Sequence, residues 1–508
     1  MTSFDDIVQT VADELSLWRF QREDLATYAP QKARLIGYEM SLGKTRMGVG
    51  YDMVQRRSVK LNLCAHSTQQ QGKTLVLAPL GNAIKQWKTN FATYQPGVPI
   101  YVIDPKKRNL FLAEVQKPGP GIYIMHWDAL RLMPELQKVQ WMHIIGDEIH
   151  RAKNRKAQVK RALQKLKTDM KTGLSGTPAD DKPQDFWSII NWLWPSYYTS
   201  YWRFVKHYCV QEVAPEGYTK IVGVQNEKSL QKEIAPWFSR RMVDDEDVDV
   251  CLPPKRYLDL WVELTPSQRR IYDQMKKDMI AWVDEHKDTP MPIISSIVAA
   301  QLTRLQQFAL ADATIIDNPA YIRWAEAGFP PRKKDPSPQI VRLQDPSAKL
   351  DEFMRLLGDN ENSQFILFSQ SKQMVQLAEK RLRNEGYSIG MYTGDEDITE
   401  KMDAVEGFMN KKIQIFAGTI AAGGEAIDGL QVCHNMVFFD RDWRQSKNLQ
   451  AEARARRPGQ EHDHVMIYDI MARNTVDIGR RTKIMKKWSS VQKLLGDRVD
   501  PREFGEDA

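Results

Sequence analysis

Short apolar runs alternating with amphipathic stretches, in two separate series, constrain this 508-residue chain more than any other feature. From about residue 33, ARLIGY (33–38), TLVLAPL (74–80), GIYIMH (121–126), MHIIGDE (142–148) and KTGLSGTP (171–178) read as buried strands with helical patterns between them. Parallel strands need long crossover connections, which those helices supply, so the first series predicts a parallel sheet covered on both faces. The rhythm returns near residue 364 with QFILFS, YSIGMYTG, KIQIFAGT, HNMVFFD and HVMIYDI. The expected fold class is α/β, with two parallel-sheet lobes. Between them, from roughly 184 to 345, helical patterns such as QRRIYDQMKKDMIAWVDEH and SSIVAAQLTRLQQFAL dominate, and FPPRKKDPSP near 330 reads as a loop.

Composition narrows the class further. With 42% apolar and 27% charged residues the chain suits a soluble globular protein with sizeable cores. No apolar run approaches the roughly 18 residues of a membrane span, and the start, MTSFDDIVQTVADELSLW, is acidic where a signal peptide is basic. An intracellular, cytoplasmic protein with no membrane partner is expected. Cys64, Cys209, Cys251 and Cys433 lack metal or redox spacing, so reduced structural thiols and no zinc are expected. The net charge of +7 permits an anionic partner. Its distribution says more, since residues 151–171 hold nine Lys or Arg and one Asp, and GRRTKIMKKW near the end is also basic.

Two Gly-Lys-Thr triplets compete for the role of a phosphate-binding loop. Gly43-Lys44-Thr45 follows a strand and opens a helical run, which sets backbone N–H groups and a helix N-terminus where phosphates sit. Lys44 reaches the outer phosphates and Thr45 ligates Mg²⁺ on this reading. The triplet at 72–74 runs directly into a strand and reads as a loop. The strand MHIIG ends in Asp147-Glu148, two carboxylates at the edge where α/β ligand sites form. Asp147 is expected to hold Mg²⁺, and Glu148 to orient or deprotonate water attacking ATP.

These pieces resemble helicase superfamily two, and specifically its Swi/Snf-like DNA-translocating ATPases. LWRFQRE (17–23) looks like the family's glutamine motif, in which Gln21 would meet the adenine edge. EMSLGKT is similar to its motif I, which itself lacks the early glycine of the usual loop; here Tyr38 stands at that place and Ser41 replaces a further glycine. VLAPLGNAIKQW, DEIHRAKN, a box of the DEAH kind, and GLSGTPAD resemble the next motifs, and the resemblance makes His150 a coupler between the ATP site and motif III. DFWSIINWLWPSYYTSYWRFVKHY resembles the helical protrusion, read as a core-packing helix rather than a base-stacking one, and LPPKRYLDLWVELTPSQRRIYDQM resembles the passage into the second lobe. SAKLDEF, FILFSQSKQM, GTIAAGGEAIDG and QAEARARRPGQ complete the order, with Glu425-Ala426 a departure in motif V. The resemblance implies two RecA-like parallel-sheet lobes with helical insertions between them: 1–245 with the ATP site and protrusion, 246–345 mainly helical, and 346–508 the second lobe.

The resemblance also implies ATP and Mg²⁺ as cofactors and nucleic acid, double-stranded or branched DNA, as the partner. Gln21, Gly43, Lys44, Thr45, Asp147 and Gln450 bind the cofactor, with Thr45 and Asp147 on the metal, and Glu148, Arg454 and Arg457 are catalytic. Arg454 and Arg457, three apart on a helix, are expected to share a face toward the phosphoryl group, with Arg456 turned elsewhere as an internal control. No histone-reading or nuclease segment is recognisable, which points to a compact bacterial or viral translocase. A strand-separating helicase on DNA or RNA and a non-catalytic nucleic-acid scaffold remain the alternatives.

Overall fold

The computed structural model describes residues 3–61, 72–179, 182–213, 219–285, 291–331, 335–424 and 427–498. They divide into two compact units, each built on one parallel sheet.

In the first unit the strands are β1 (Ala33–Tyr38), β2 (Lys73–Ala78), β3 (Ile100–Val102), β4 (Gly121–His126), β5 (Gln140–Asp147) and β6 (Lys167–Leu174). A hairpin, β7 (Cys209–Val213) with β8 (Thr219–Val224), stands apart, and β9 (Phe238–Arg241) completes the sheet in the order β3-β4-β2-β5-β6-β1-β9. Every residue of β1, β2 and most of β4 and β5 is buried, as the uninterrupted apolar runs require of strands covered on both faces. Gly37 in β1 has a packing reason, because a Cβ there would lie 2.5 Å from the ring of Phe238 on β9.

The helices that position the site are α1 (Phe4–Glu14), α2 (Arg19–Tyr28), α3 (Lys44–Lys60) and α4 (Asn82–Tyr94). Tyr38, standing where the early glycine of a phosphate loop is expected, is fully buried and donates from its hydroxyl to Asp24 Oδ2 on α2 at 2.7 Å. Asp24 also accepts from Ser239 and from both Nε and Nη2 of Arg241 on β9. A second buried network holds α3 to the sheet. Asp52 accepts from Arg56 at 2.7 Å, Thr74 at 2.5 Å and Gln95 at 3.0 Å, and meets His143 Nδ1 at 3.3 Å, while His143 Nε2 meets Thr172 Oγ1 at 2.8 Å.

The second unit carries β10 (Lys255–Val262), a hairpin of β11 (Asp312–Asp317) with β12 (Gln339–Gln344), and β13 (Phe365–Ser369), β14 (Ile389–Tyr392), β15 (Ile415–Thr419), β16 (Asn435–Phe438) and β17 (Val465–Ala472). Its sheet runs β10-β17-β16-β13-β15-β14, all pairs parallel. Along β13, Phe365 and Leu367 enter one hydrophobic core and Ile366 and Phe368 the other, so the period-two alternation feeds both faces.

The two-lobed α/β architecture is as expected, but its boundaries differ. The unit border falls at Leu252/Pro253, near the expected 245/246, but the stretch from 253 to 345, expected as a separate connecting region, groups with the second unit, and residues 444–446 and 485 onward group with the first. The reason is β10: its whole length pairs with β17, from Lys255↔Val465 to Val262↔Ala472, so the stretch read as mainly helical opens the second sheet. Strands β7 to β12 all lie within 184–345, where helical patterns dominate the sequence. Of the cysteines, Cys209 and Cys433 are buried and Cys251 is exposed, all as free thiols; Cys64 lies outside the described residues. No helix among the described residues is long and apolar enough to cross a membrane.

The Asp52 network has a pH signature. Burial lowers the His143 pKa from 6.5, so the folded chain holds it neutral, and the stability this contributes above pH 6.5 is lost as pH falls below that value. Burial alone would raise Asp52, but Arg56, His143 and Thr74 hold it well below 3.8, so its contribution fades only in stronger acid. His143→Gln should therefore lower the urea midpoint at pH 8, by a stability loss of about 1–3 kcal/mol. The gap from wild type should narrow by pH 5, and a gap constant across that range would exclude the His143 contribution.

Candidate nucleotide site

The site grows from the C-terminal ends of β1, β5 and β6. After β1 the chain turns through Glu39–Gly43 into α3, and two of these residues are left-handed, Ser41 at φ 72° and Gly43 at φ 74°. The serine adopts the conformation for which a glycine is the unstrained choice, so the turn keeps its shape at a cost of about 1–2 kcal/mol. A side chain at Gly43 is disfavoured by its left-handed backbone, and a Cβ there would also lie 2.5 Å from Gln21 Nε2 and displace that amide. Thr45 follows Lys44 in the first turn of α3 and is partly buried. In contrast, Gly72 is a turn residue at φ 53° and Lys73 opens β2, so the second triplet forms no loop before a helix.

Gln21, expected at the adenine edge, has both ends of its amide bonded to the backbone around the loop. It is fully buried beneath the loop, with Nε2 donating to Leu42 O at 3.0 Å and Oε1 accepting from Trp18 N at 3.1 Å. Its amide therefore holds the phosphate loop to the start of α2.

Lys44 Nζ donates to Tyr38 O at 3.0 Å and Glu39 O at 3.2 Å, and a Cβ on Gly176 would approach it to 3.4 Å. Burial lowers its pKa, and the negative charges of Glu148 and Asp147 oppose that shift. Asp147 ends β5 and is pushed up to about 6 by burial first and by Glu148 second. Trp87 on α4 donates to Asp147 Oδ2 at 2.9 Å, and Trp127 donates to its carbonyl at 2.7 Å. Glu148 is left-handed, with φ 50°. Its Oε2 lies 3.2 Å from His150 Nδ1, which in turn meets Ser175 Oγ at 3.0 Å, and Ser175 Oγ is 3.4 Å from Glu148 Oε2. This triangle joins β5 to the loop after β6 and gives the coupler role of His150 a physical path. Arg240 on β9 donates to Gly37 O and, at 2.9 Å, to Gly176 O, and its Nη2 pairs with Asp497 at 2.6 Å.

Trp87 and Arg240 were not singled out in the sequence. Trp87 was legible only as the last residue of the quoted VLAPLGNAIKQW, and nothing local marks Arg240.

The donor set fits a nucleotide polyphosphate with Mg²⁺. A helix N-terminus and Lys44 offer positive charge, and two adjacent carboxylates, with Asp147 raised by burial and by the charge of Glu148, suit a divalent cation.

In the second unit, Gln450 is buried on the helix Gln445–Glu452, which stops before the arginines. Arg454 to Arg457 form turns rather than a helix, so the shared-face argument does not hold. Arg454 still lies beside Arg457, because both donate to Ile427 O, at 3.2 and 2.9 Å; Arg454 also reaches Gly424 O at 3.0 Å and Arg457 reaches Asp428 Oδ1 at 2.9 Å. Arg456 is not a neutral control, since it is 8% exposed and donates to Pro253 O at 2.9 Å. Glu425-Ala426 lie outside the described residues. In the protrusion, Trp187, Trp192 and Tyr198 are buried as expected, whereas Tyr197 and Trp202 are 75% and 65% exposed.

A two-lobed α/β chain with a phosphate loop, an Asp-Glu strand end and a paired-arginine turn has the parts of a nucleotide-driven motor. The SNF2-related domain matches residues 21–308 and the helicase conserved C-terminal domain residues 348–459, and the chain belongs to the SNF2-related family. It is 25% identical over 481 residues to the human SWI/SNF-related matrix-associated actin-dependent regulator of chromatin subfamily A member 1, covering 92% of this chain and 42% of that one. It is 23% identical over 471 residues to the human DNA excision repair protein ERCC-6, covering 89% of this chain and 30% of that one. The chain thus spans less than half the length of these curated relatives. The crystal structure of the Pyrococcus furiosus Hef helicase domain shares the fold, with TM-score 0.50 and 14% identity over 92% of this chain and 98% of that one.

The arginine geometry predicts a split. Arg456→Ala should destabilise the second unit by about 1–3 kcal/mol, because it leaves the partly buried Pro253 carbonyl without that donor, whereas Arg457→Ala should cost less, because Arg454 still donates to the Ile427 carbonyl. Equal losses in urea unfolding would show that Arg457 too is structural.

Proposed function

We propose that the chain is a DNA-dependent ATPase that translocates on duplex DNA and remodels DNA structures or DNA-bound proteins. The observation that carries this reading is the charge arrangement at the strand ends, where Lys44 faces the Asp147–Glu148 pair and burial with mutual repulsion raises Asp147. A divalent cation beside such a pair would offset the repulsion and favour the ionised form. Membership of the SNF2-related family supports ATP as the nucleotide, and relatives named for chromatin regulation and DNA excision repair support duplex DNA as the track. Forked and four-way DNA, which contain duplex arms, are tracks of the same kind.

The residues divide the work by chemistry. The N-terminus of α3 and Lys44 hold the phosphates, Thr45 and Asp147 hold Mg²⁺, and the magnesium when bound neutralises phosphate charge. Glu148, hydrogen-bonded into the His150–Ser175 triangle, orients the attacking water and takes its proton. Arg454 and Arg457 act on the charge of the transferring phosphoryl group, which requires them to exchange the carbonyl and Asp428 partners they hold in this structure. Gripping phosphates rather than base edges makes DNA binding sequence-independent and salt-sensitive.

Phosphate release measured with duplex, single-stranded, forked and four-way DNA and with RNA tests the proposal directly. Duplex-containing DNA should stimulate most, and triplex displacement should exceed unwinding of a forked duplex. Robust unwinding without triplex displacement would favour a strand-separating helicase. No stimulation by any nucleic acid would leave a non-catalytic scaffold.

Single substitutions should separate the roles. Lys44→Ala weakens ATP binding, and Asp147→Asn shifts the magnesium requirement upward. Glu148→Gln keeps ATP affinity while lowering turnover by about 10²–10⁴. Arg457→Ala cuts single-turnover hydrolysis by about 10³ with ATP affinity kept. Near-normal hydrolysis by Glu148→Gln would remove that residue from its assigned role.

A further inference from the structure

Away from the nucleotide site, a cavity of about 320 Å³ opens where the loop after the turn Ile149–Ala152 meets the helix Asp185–Leu193. Its wall carries four cationic side chains, Lys153, Arg155, Lys156 and Lys182, against one carboxylate, Asp185. Asp185 lies 3.7 Å from Lys153, and Arg155 stacks on the ring of Tyr201 at 4.2 Å, which leaves exposed Lys156 and Lys182 at the mouth. Two buried polar atoms of the wall have no hydrogen-bond partner among the described residues, the indole Nε1 of Trp187 and the amide Oε1 of Gln184. Trp187 is 8% exposed, and a buried donor left unpaired costs about 1–3 kcal/mol.

We propose that this cavity binds a phosphate group. An unpaired N–H needs an acceptor, four cations require that acceptor to be anionic, and several donors around one cavity favour an oxyanion with several oxygens. Gln184 turned end for end presents its NH₂ to the same group. The start of the helix Asp185–Leu193, nine residues long, adds its positive end. The phosphate belongs to the backbone of bound duplex DNA, an assignment of source that rests on the function proposed above; free polyphosphate offers the same chemistry.

The test uses the full chain, a blunt-ended duplex and inorganic tripolyphosphate as probes, and two variants. Trp187→Phe keeps the ring and removes the N–H, while Lys156→Gln with Lys182→Gln removes charge from exposed positions that leave folding intact. The double variant should bind duplex about tenfold more weakly, with the salt dependence reduced by the equivalent of about one phosphate. Trp187→Phe should bind about fivefold more weakly with the salt dependence unchanged, since the lost donor is neutral. Tripolyphosphate should displace duplex from wild type and bind both variants less well. If the variants lose tripolyphosphate but keep duplex, the site stands with free polyphosphate as its ligand. If wild type binds no duplex yet binds tripolyphosphate through Trp187, the function proposed above fails and the site stands. Trp187→Phe matching wild type toward both probes overturns the site, even where the lysine variant weakens DNA binding, because that loss is then surface charge alone.

Discussion

The carboxylate of Asp24, 2% exposed, is the interaction on which the first unit depends. It collects the hydroxyl of Tyr38, the hydroxyl of Ser239 and two nitrogens of Arg241, and so binds α2, β1 and β9 at one point. A buried carboxylate with four donors is stable only with all of them, and removing one partner from such a cluster costs about 3–5 kcal/mol. The nucleotide site inherits its geometry from this cluster. Tyr38 ends β1 just ahead of the phosphate loop, and its carbonyl accepts from Lys44. The residue that spoils the usual glycine pattern therefore fastens the loop from below.

Against that rigid base the site itself is strained and charged. Ser41 and Glu148 hold left-handed backbone conformations, and Asp147 and Glu148 repel one another under a lysine that burial also makes less basic. These features lower the stability of the chain alone, and the charge repulsion among them is the part that a bound divalent cation would offset. The strain at Glu148 falls on a residue proposed for chemistry, and that at Ser41 on the loop that leads to Lys44. The two anchoring networks, around Asp24 and Asp52, lie on either side of it and keep the loop and α3 in place.

Much of this was legible in the sequence. Strands such as β1 and β4 run over 33–38 and 121–126, as the apolar runs predict, because a strand buried on both faces leaves a continuous signal. The loop triplet, the Asp-Glu strand end and their order were equally plain. What escaped has a common physical cause. Strands β9 and β10 read FSRR and KRYLDLWV, with two of four and seven of eight residues at least partly exposed, so neither pattern announces a strand. Gln21 was legible as a functional amide, but its burial under Leu42 depends on a turn whose shape no single residue reveals. The arginine turn failed for a local reason, since Pro458 and Gly459 follow immediately and cut the helix short of Arg454.

The second unit repeats the logic of the first with different residues. Glu452, 1% exposed, closes the helix Gln445–Glu452 and accepts from Lys255 at 2.9 Å, Tyr257 at 2.8 Å and Arg441 at 2.6 Å. Lys255 and Tyr257 belong to β10, so here too a buried carboxylate ties an edge strand to the element that carries the functional side chains. Arg441 continues the network to Asp469 on β17 and lies over the ring of Phe438 at 3.6 Å. Edge strands leave one side unpaired, and both here bury few of their residues, two in β9 and one in β10. Ionic clamps supply the specificity that hydrophobic burial does not, which is why the strands hardest to read in the sequence are the ones fixed by its buried acids. The arginine turn begins directly after Glu452, so the clamp that seats β10 also sets where Arg454 and Arg457 emerge.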